Sequence, residues 1–371
     1  MHTRVRSVDS VHKKLTLENG SERDFDILII ATGSVTQKFE WPGQDLKGVQ
    51  GLYSFQDLES MTALTQGISN AVVAGGGLIG VELAEMMHAK KIAVTLLVRD
   101  QYYWGSVLPQ QDGELLGRHI ASYGLDLRFN SQIKEIIGDG NGNVKQVLTN
   151  NGEIIDCQFV GIATGVKPNI AFLVNSGIEL GKGVLVNSYF ETNIKDIYAI
   201  GDCAEFRDPV EGRKKLEQVW YTGRMHGETL AQTICGKRSP YRPGPWFNSA
   251  KFFDIEYQTY GQVPARASEN ETYFFWQHPK KNIALGILFD SRNGRFIGLN
   301  AYGIRLRHSI FDDWITRQQP VDYVLNNLNK AMFNPEFAKD YSKTILLAFK
   351  ESTGRPVSNT RSKKIFFNFN S

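Results

Sequence analysis

The sequence predicts an α/β chain of tandem Rossmann-like dinucleotide-binding folds, the first truncated on its N-terminal side, followed by a C-terminal α+β domain. Three features make that prediction. The stretch AVVAGGGLIGVELAE, residues 71–85, sets an apolar strand, a glycine-rich turn and an amphipathic helix in direct succession. A hairpin followed by an apolar strand ending in Ala-Thr-Gly occurs twice, at Ala31, Thr32, Gly33 and again at Ala163, Thr164, Gly165. Beyond Trp246 the pattern changes to aromatic and β-branched alternation, in KFFDIEYQTYG, TYFFWQH, IALGILF and RFIGLNAYG, which reads as antiparallel sheet with helices behind it.

In chain order, VRSVDSVHKKLTL and the Asn19-Gly20 turn form a small hairpin that feeds the strand DILIIATG. The same number of positions separates Gly20 from Ala31 as separates Gly152 from Ala163, so the two stretches are copies of one architectural unit. In the second copy the glycine turn lies far upstream of its Ala-Thr-Gly. Before Ala31 there is no room for an equivalent strand, turn, helix and second strand, and the expectation is that about sixty residues or more of the first fold are absent. Residues 37–66, with Trp41-Pro42-Gly43, read as a loop and short helix linking one sheet to the next.

The glycine turn itself carries the G-x-G-x-x-G spacing at Gly75, Gly77 and Gly80, with Gly76, Leu78 and Ile79 between them. Gly75 suits the tight turn, Gly77 the approach of a pyrophosphate to the backbone, and Gly80 close packing of helix on strand. The helix's free amides and dipole face the phosphates, so the expected ligand is a dinucleotide. A second strand follows at residues 92–98. After Gly165, Pro168 holds Lys167 extended. The run GVLVNSYFETNIKDIYAIGDCAE then gives a strand, a turn, and the strand IYAI delivering Gly201 and Asp202 at its carboxyl end, where ligands of open α/β sheets sit. A helix is predicted over about residues 216–234, prolines 240, 243 and 245 mark a boundary, and the last forty or so residues carry weaker patterning and no motif.

Composition excludes several classes. With 371 residues, 42% hydrophobic and 22% charged, the chain is an ordinary globular one with room for two or three domains. A net charge of +3 gives no argument for nucleic acid, and the locally basic stretch from Lys350 to Lys364 reads as a solvated tail. Cys157, Cys203 and Cys235 lie far apart without metal-ligand or dithiol spacing, so no metal site is expected and a reducing cytoplasm fits. No apolar run approaches the length of a membrane span, and no partner membrane is expected.

Four motifs, LIIATGS at 28–34, GGGLIGVELAE at 75–85, IATG at 162–165 and TNIKDIYAIGDCAE at 192–205, resemble in order and spacing the FAD-dependent pyridine nucleotide oxidoreductases. These include ferredoxin and rubredoxin reductases, the reductase part of NADH-dependent nitrite reductases, and apoptosis-inducing-factor-like proteins. The resemblance covers roughly residues 1–245 and lacks the family's N-terminal flavin-binding glycine turn. It implies a partial FAD-binding segment over 1–68, an NAD(P)-binding domain over 69–182, a second FAD segment over 183–245, an interface domain over 246–330 and a tail over 331–371. The implied activity is hydride transfer from NAD(P)H to FAD and onward passage of electrons to a carrier protein or small oxidant. The alternative is a truncated, inactive NAD(P)-binding interaction protein.

Residue by residue, the resemblance makes Asp202 the acid that hydrogen-bonds the flavin's ribityl chain, with Gly201 giving close approach. Val219 and Trp220 stand where helix amides meet the flavin's pyrimidine edge, although Trp220 fits core packing equally well. Glu82 matches the glutamate at the nicotinamide face, the one catalytic candidate, or is a solvated surface acid. Leu78 occupies the place of the family's aromatic gate. Arg99, where NADH enzymes carry an acid nearby, tips the expectation toward NADPH, since a guanidinium holds a phosphate in bidentate fashion. The resemblance also allows a homodimer through the C-terminal domain and a separate chain supplying the absent FAD segment.

Overall fold

The computed structural model describes residues 3–355, so most of the basic stretch read as a solvated tail lies outside the described residues. The chain divides into two units. One runs to Gly105 and resumes over Leu116–Pro243; the other takes Ser106–Leu115 and everything from Gly244.

The first unit is built on a fully parallel five-stranded sheet in the order Val49–Gly51, Phe159–Ile162, Asn70–Ala74, Ala93–Val98, Asp126–Phe129. Its central strand is apolar on both faces, and Val72 and Val73 have no exposed surface, as a strand covered on both sides requires. Helix Leu78–Ala89 connects it to Ala93–Val98 and buries Gly80, Val81, Leu83, Ala84 and Met87, a stripe with the three- and four-residue spacing of one helical face. The fully buried Val81, Leu83 and Met87 side chains each contribute about 1.5 to 3 kcal/mol.

The repeated unit is present twice as a three-stranded antiparallel sheet, Val5–Asp9, Lys14–Leu17 and Glu22–Asp24, then Ile133–Gly138, Val144–Thr149 and Ile154–Asp156. Each feeds a strand that ends at an Ala-Thr-Gly: Leu28–Ile30, parallel to Ile197–Ala199, and Phe159–Ile162.

Two local expectations are corrected. Residues 37–66 are more than a linker, because besides helix Phe55–Leu64 they include the edge strand Val49–Gly51 of the parallel sheet. A three-residue strand is too short to show a period, and its parallel pairing with Phe159–Ile162 supplies the order. The helix predicted from about residue 216 begins at Trp220. Before it, Leu216 bridges to Glu205, Glu217 is held in a buried ion pair with Arg213, and Val219 is extended at φ −136°. The bridge of Leu216 to Glu205 overrides local helix propensity there.

The second unit is a five-stranded antiparallel sheet in the order Phe247–Phe252, Ile255–Gly261, Phe296–Tyr302, Ala284–Asp290, Glu271–Gln277. Helices His308–Thr316, Val321–Asn326 and Ser342–Thr353 complete its core through Phe311, Trp314, Val324, Leu325, Ile345 and Phe349. Helix Ser342–Thr353 lies in the weakly patterned terminal stretch; Ile345 and Phe349, four apart, are buried in the core, and Leu346 and Ala348 are partly buried against it.

Candidate functional site

The three glycines of the turn differ in what confines them. Gly75 has φ +121°, a region side chains avoid, and its amide is bonded to the Leu97 carbonyl at 2.9 Å. A Cβ there would stand 2.1 Å from the Ala163 carbonyl oxygen, and one on Gly80 would stand 1.9 Å from the Gly75 carbonyl oxygen. Both positions exclude any side chain because the backbone of the second Ala-Thr-Gly and of the turn itself already fills the space. Gly77 is different: its φ is −99°, and the nearest atom to a built Cβ is the Trp104 indole nitrogen at 3.7 Å. The fold does not crowd Gly77.

Gly77 also caps helix Leu78–Ala89, whose start has neither a side-chain cap nor an acid in its first turn. The amides of that turn are therefore not satisfied by the helix's own side chains. Leu78 and Ile79 form this turn, and Gly76 packs against Val98. Tyr103, fully buried, donates its hydroxyl to the Gly77 carbonyl at 3.2 Å; burial holds its phenol far above the ordinary range. Trp104 beside it has φ +53°, the left-handed region uncommon for a bulky residue. Sequence reasoning passed over both, although their place just after the second strand was a signal.

Arg99 follows the end of strand Ala93–Val98, is largely exposed, and lies 3.5 Å from Asp100. Glu82 is exposed on the outer face of its helix, yet partial desolvation of the carboxyl, and then the neighbouring Glu85, push its pKa up.

A second cluster forms around Asp202. Strand Ile197–Ala199 ends in a short 3-10 turn, Gly201–Cys203, with Gly201 at φ +70° and open space around it. The Asp202 carboxylate accepts from the Ser34 hydroxyl and the Tyr53 hydroxyl, each at 3.2 Å. Burial raises its pKa, and those two hydrogen bonds oppose the rise. The Tyr53 hydroxyl in turn accepts from the Ser34 amide at 2.7 Å, and the Gln218 side-chain amide donates to the Ser34 hydroxyl at 2.7 Å. Gly33, at φ +66°, makes room: a Cβ on it would meet the Tyr53 hydroxyl at 2.4 Å. Ser34 directly follows the first Ala-Thr-Gly, but nothing local in the sequence marks Tyr53 or Gln218.

The two Ala-Thr-Gly ends are tied together. Strand Ser34–Thr36 pairs antiparallel with Val166–Pro168. Thr32 donates to the Asn169 carbonyl and Asn169 to the Gly33 carbonyl. Likewise Thr164 donates to the Gln37 carbonyl while Gln37 donates to Gly165. Ala31 is exposed, Ala163 is buried under the glycine turn, Val219 caps helix Trp220–Ile234, and Trp220 is 72% exposed, which excludes core packing for it.

A family model described as pyridine nucleotide-disulphide oxidoreductase matches residues 1–227. The chain belongs to that family. Nitrite reductase [NAD(P)H] of Bacillus subtilis (strain 168) is 30% identical over 253 residues, covering 68% of this chain and 30% of that protein. Ferredoxin--NAD(P)(+) reductase of a Sphingomonas species is 31% identical over 264 residues, covering 69% of this chain and 62% of its own length. The chain thus spans less than two thirds of either pyridine nucleotide-disulphide oxidoreductase relative. The NAD-dependent persulfide reductase from A. fulgidus superposes with a TM-score of 0.82 at 24% identity, covering 95% of this chain and 69% of that one. The fold read from the motifs, a parallel-sheet Rossmann-like core with a C-terminal antiparallel domain, is the fold of these oxidoreductases. No helix among the described residues is long and apolar enough to cross a membrane.

Proposed function

We propose that this chain binds NAD(P)H at the Gly75–Gly80 turn and FAD at the Asp202 end, and passes electrons to a carrier protein of the ferredoxin or rubredoxin kind or to a small oxidant such as nitrite. The observation that carries the reading is the pairing of Ser34–Thr36 with Val166–Pro168, which ties the Asp202 cluster and the glycine turn together within one unit. The residues fit both groups. Gly77 leaves space for a pyrophosphate at an uncapped helix start, and Asp202 is a half-buried acid at a strand's carboxyl end beside an uncrowded Gly201. Gly75 to Gly80 would hold the dinucleotide; Ala31, Thr32, Gly33, Gly201, Asp202, Val219 and Trp220 would hold the flavin, and Ala163, Thr164 and Gly165 would line the cofactor site between them. Bound there, FAD supplies hydride acceptance from the nicotinamide and release of electrons to the acceptor. The protein's part is to orient and to exclude water, and Glu82, with its raised pKa, stands as the acid at the nicotinamide face.

The decisive test is anaerobic titration of the chain, supplied with FAD, with NADPH and with NADH. Bleaching of the flavin bands is the expected result. A chain that takes up none of the supplied FAD yet binds NADPH would favour the NAD(P)-binding interaction protein instead.

Arg99 makes NADPH the preferred donor in this reading. Losing its charge-assisted contact costs about 1.5 to 3 kcal/mol, so Arg99→Ala weakens NADPH by roughly ten- to a hundredfold and leaves NADH nearly unchanged. Calorimetry with both nucleotides checks this; equal losses would count against it.

A further inference from the structure

We infer that His226 is a positioning residue for the flavin-facing acid: its imidazole holds the Gly201 amide and so fixes where the Asp202 carboxylate stands. The inference rests on the flavin reading of Asp202 given above.

His226 lies in helix Trp220–Ile234 and is 1% exposed. Its Nδ1 accepts the Gly201 N–H at 3.1 Å. The backbone around it explains why that bond matters. The Ile200 amide is still held by the strand ladder, bonded to the Ile30 carbonyl at 3.0 Å. Gly201 is the next donor along the chain, has turned to φ +70°, and begins the short turn that carries Asp202. The side chains of Ser34 and Tyr53 hold the carboxylate itself; His226 holds the backbone from which it projects.

The ring cannot swing away. Phe190, Phe206 and Tyr241 surround it at ring-centroid distances of 4.9, 5.4 and 4.6 Å. Burial, and then the charge of Arg213, bring its pKa down to about 3, so the ring stays neutral and Nδ1 stays an acceptor near neutral pH. With Nδ1 accepting, the proton sits on Nε2, and that atom is buried with no hydrogen-bond partner among the described residues. A phenyl or isobutyl group would fill this aromatic setting without an orphaned polar atom. Packing therefore does not account for the imidazole; the acceptor at Nδ1 does.

The test compares three variants of the intact chain. His226→Leu and His226→Phe keep apolar bulk and remove the acceptor, the second in case the first does not fold. His226→Asn thins the packing but puts an amide oxygen near the place of Nδ1. Two quantities are read: exchange of the Gly201 amide by NMR in flavin-free protein, and FAD affinity by flavin fluorescence. The expected result is Gly201 exchange faster by about tenfold or more and FAD affinity weaker by about tenfold in the Leu and Phe variants, with Asn restoring both to within about threefold of wild type. A packing role predicts the opposite order, Asn worse than Leu or Phe. Unchanged Gly201 exchange in the Leu and Phe variants, or an Asn variant no better than they are, overturns the inference. Wild-type protein that takes up no FAD overturns the flavin reading instead, and the Gly201 exchange rates still decide whether His226 holds the turn.

Discussion

Asp112→Asn is expected to make the chain more stable than wild type above about pH 6 and to leave it little changed below pH 4. Asp112 is fully buried in the second unit, where Oδ1 accepts from the Asn300 amide at 3.0 Å and the Tyr302 hydroxyl at 2.8 Å, and Oδ2 from the Tyr273 hydroxyl at 2.5 Å. Burial pushes its pKa up from 3.8 to about 6, against the pull of those three hydrogen bonds. The protonated acid is thus the form the fold favours. Its contribution is complete below the unfolded pKa and is lost as pH rises through about 6, a difference of roughly 3 kcal/mol at most for a shift of this size. An asparagine with its oxygen at Oδ1 keeps the two donors there, and its amide donates to the Tyr273 oxygen, so the variant imitates the protonated acid at every pH. Asp112→Ala is the contrasting case. It leaves the Asn300 amide and the Tyr302 hydroxyl without their acceptor and the Tyr273 hydroxyl without its partner, costing about 3 to 5 kcal/mol at pH 5, and less at pH 8, where losing the buried charge offsets part of the damage. Urea unfolding of the three proteins from pH 4 to pH 8 checks both. An Asn variant that follows the wild-type pH profile would show that another group sets it.

The contrast between Asp112 and the glycine turn shows what was legible beforehand. Gly75, Gly77 and Gly80 lie within six consecutive residues between a strand and a helix, so their role is written locally. The two Ala-Thr-Gly ends were legible because they recur with equal spacing. What escaped is long-range. Tyr53 reaches Asp202 across 149 positions and Gln218 reaches Ser34 across 184, and both are residue types that ordinarily stay on surfaces or in loops. Asp112 reads as a first-turn helix acid, a commonplace of dipole complementation. Only the strands that bring Tyr273, Asn300 and Tyr302 around it make it a buried group. His226 likewise reads as a polar position on an amphipathic helix until Gly201 is placed beside it. The short strand Val49–Gly51 was hidden because three residues carry no period. The late start of helix Trp220–Ile234 was hidden because Leu216 is drawn into a bridge with Glu205 of another element, which local propensity does not register.

The glycine turn also yields the most discriminating pair of variants, because neighbouring glycines are expected to fail in different ways. Gly80→Ala should unfold the first unit more readily by about 3 kcal/mol or more. Its new methyl would stand 1.9 Å from the Gly75 carbonyl oxygen, a backbone atom that moves only if the turn and the Ala163 strand end packed on it move too. Gly77→Ala has no such conflict. Its backbone is in an ordinary region at φ −99°, and its methyl would find only the Trp104 indole nitrogen, at 3.7 Å. Replacing a glycine at a helix cap by alanine costs about 1 kcal/mol. Beyond that modest cap preference the fold does not require glycine at position 77, and the further reason for one is a ligand that comes within contact of the backbone. The same methyl that the protein tolerates would intrude on a pyrophosphate seated on the helix start, and a clash of about 1 to 3 kcal/mol lowers nucleotide affinity by roughly five- to a hundredfold. Thermal or urea unfolding together with NADPH calorimetry separates the two outcomes. A Gly77→Ala protein that binds NADPH like wild type would remove the nucleotide from this turn, however well the glycines match the spacing.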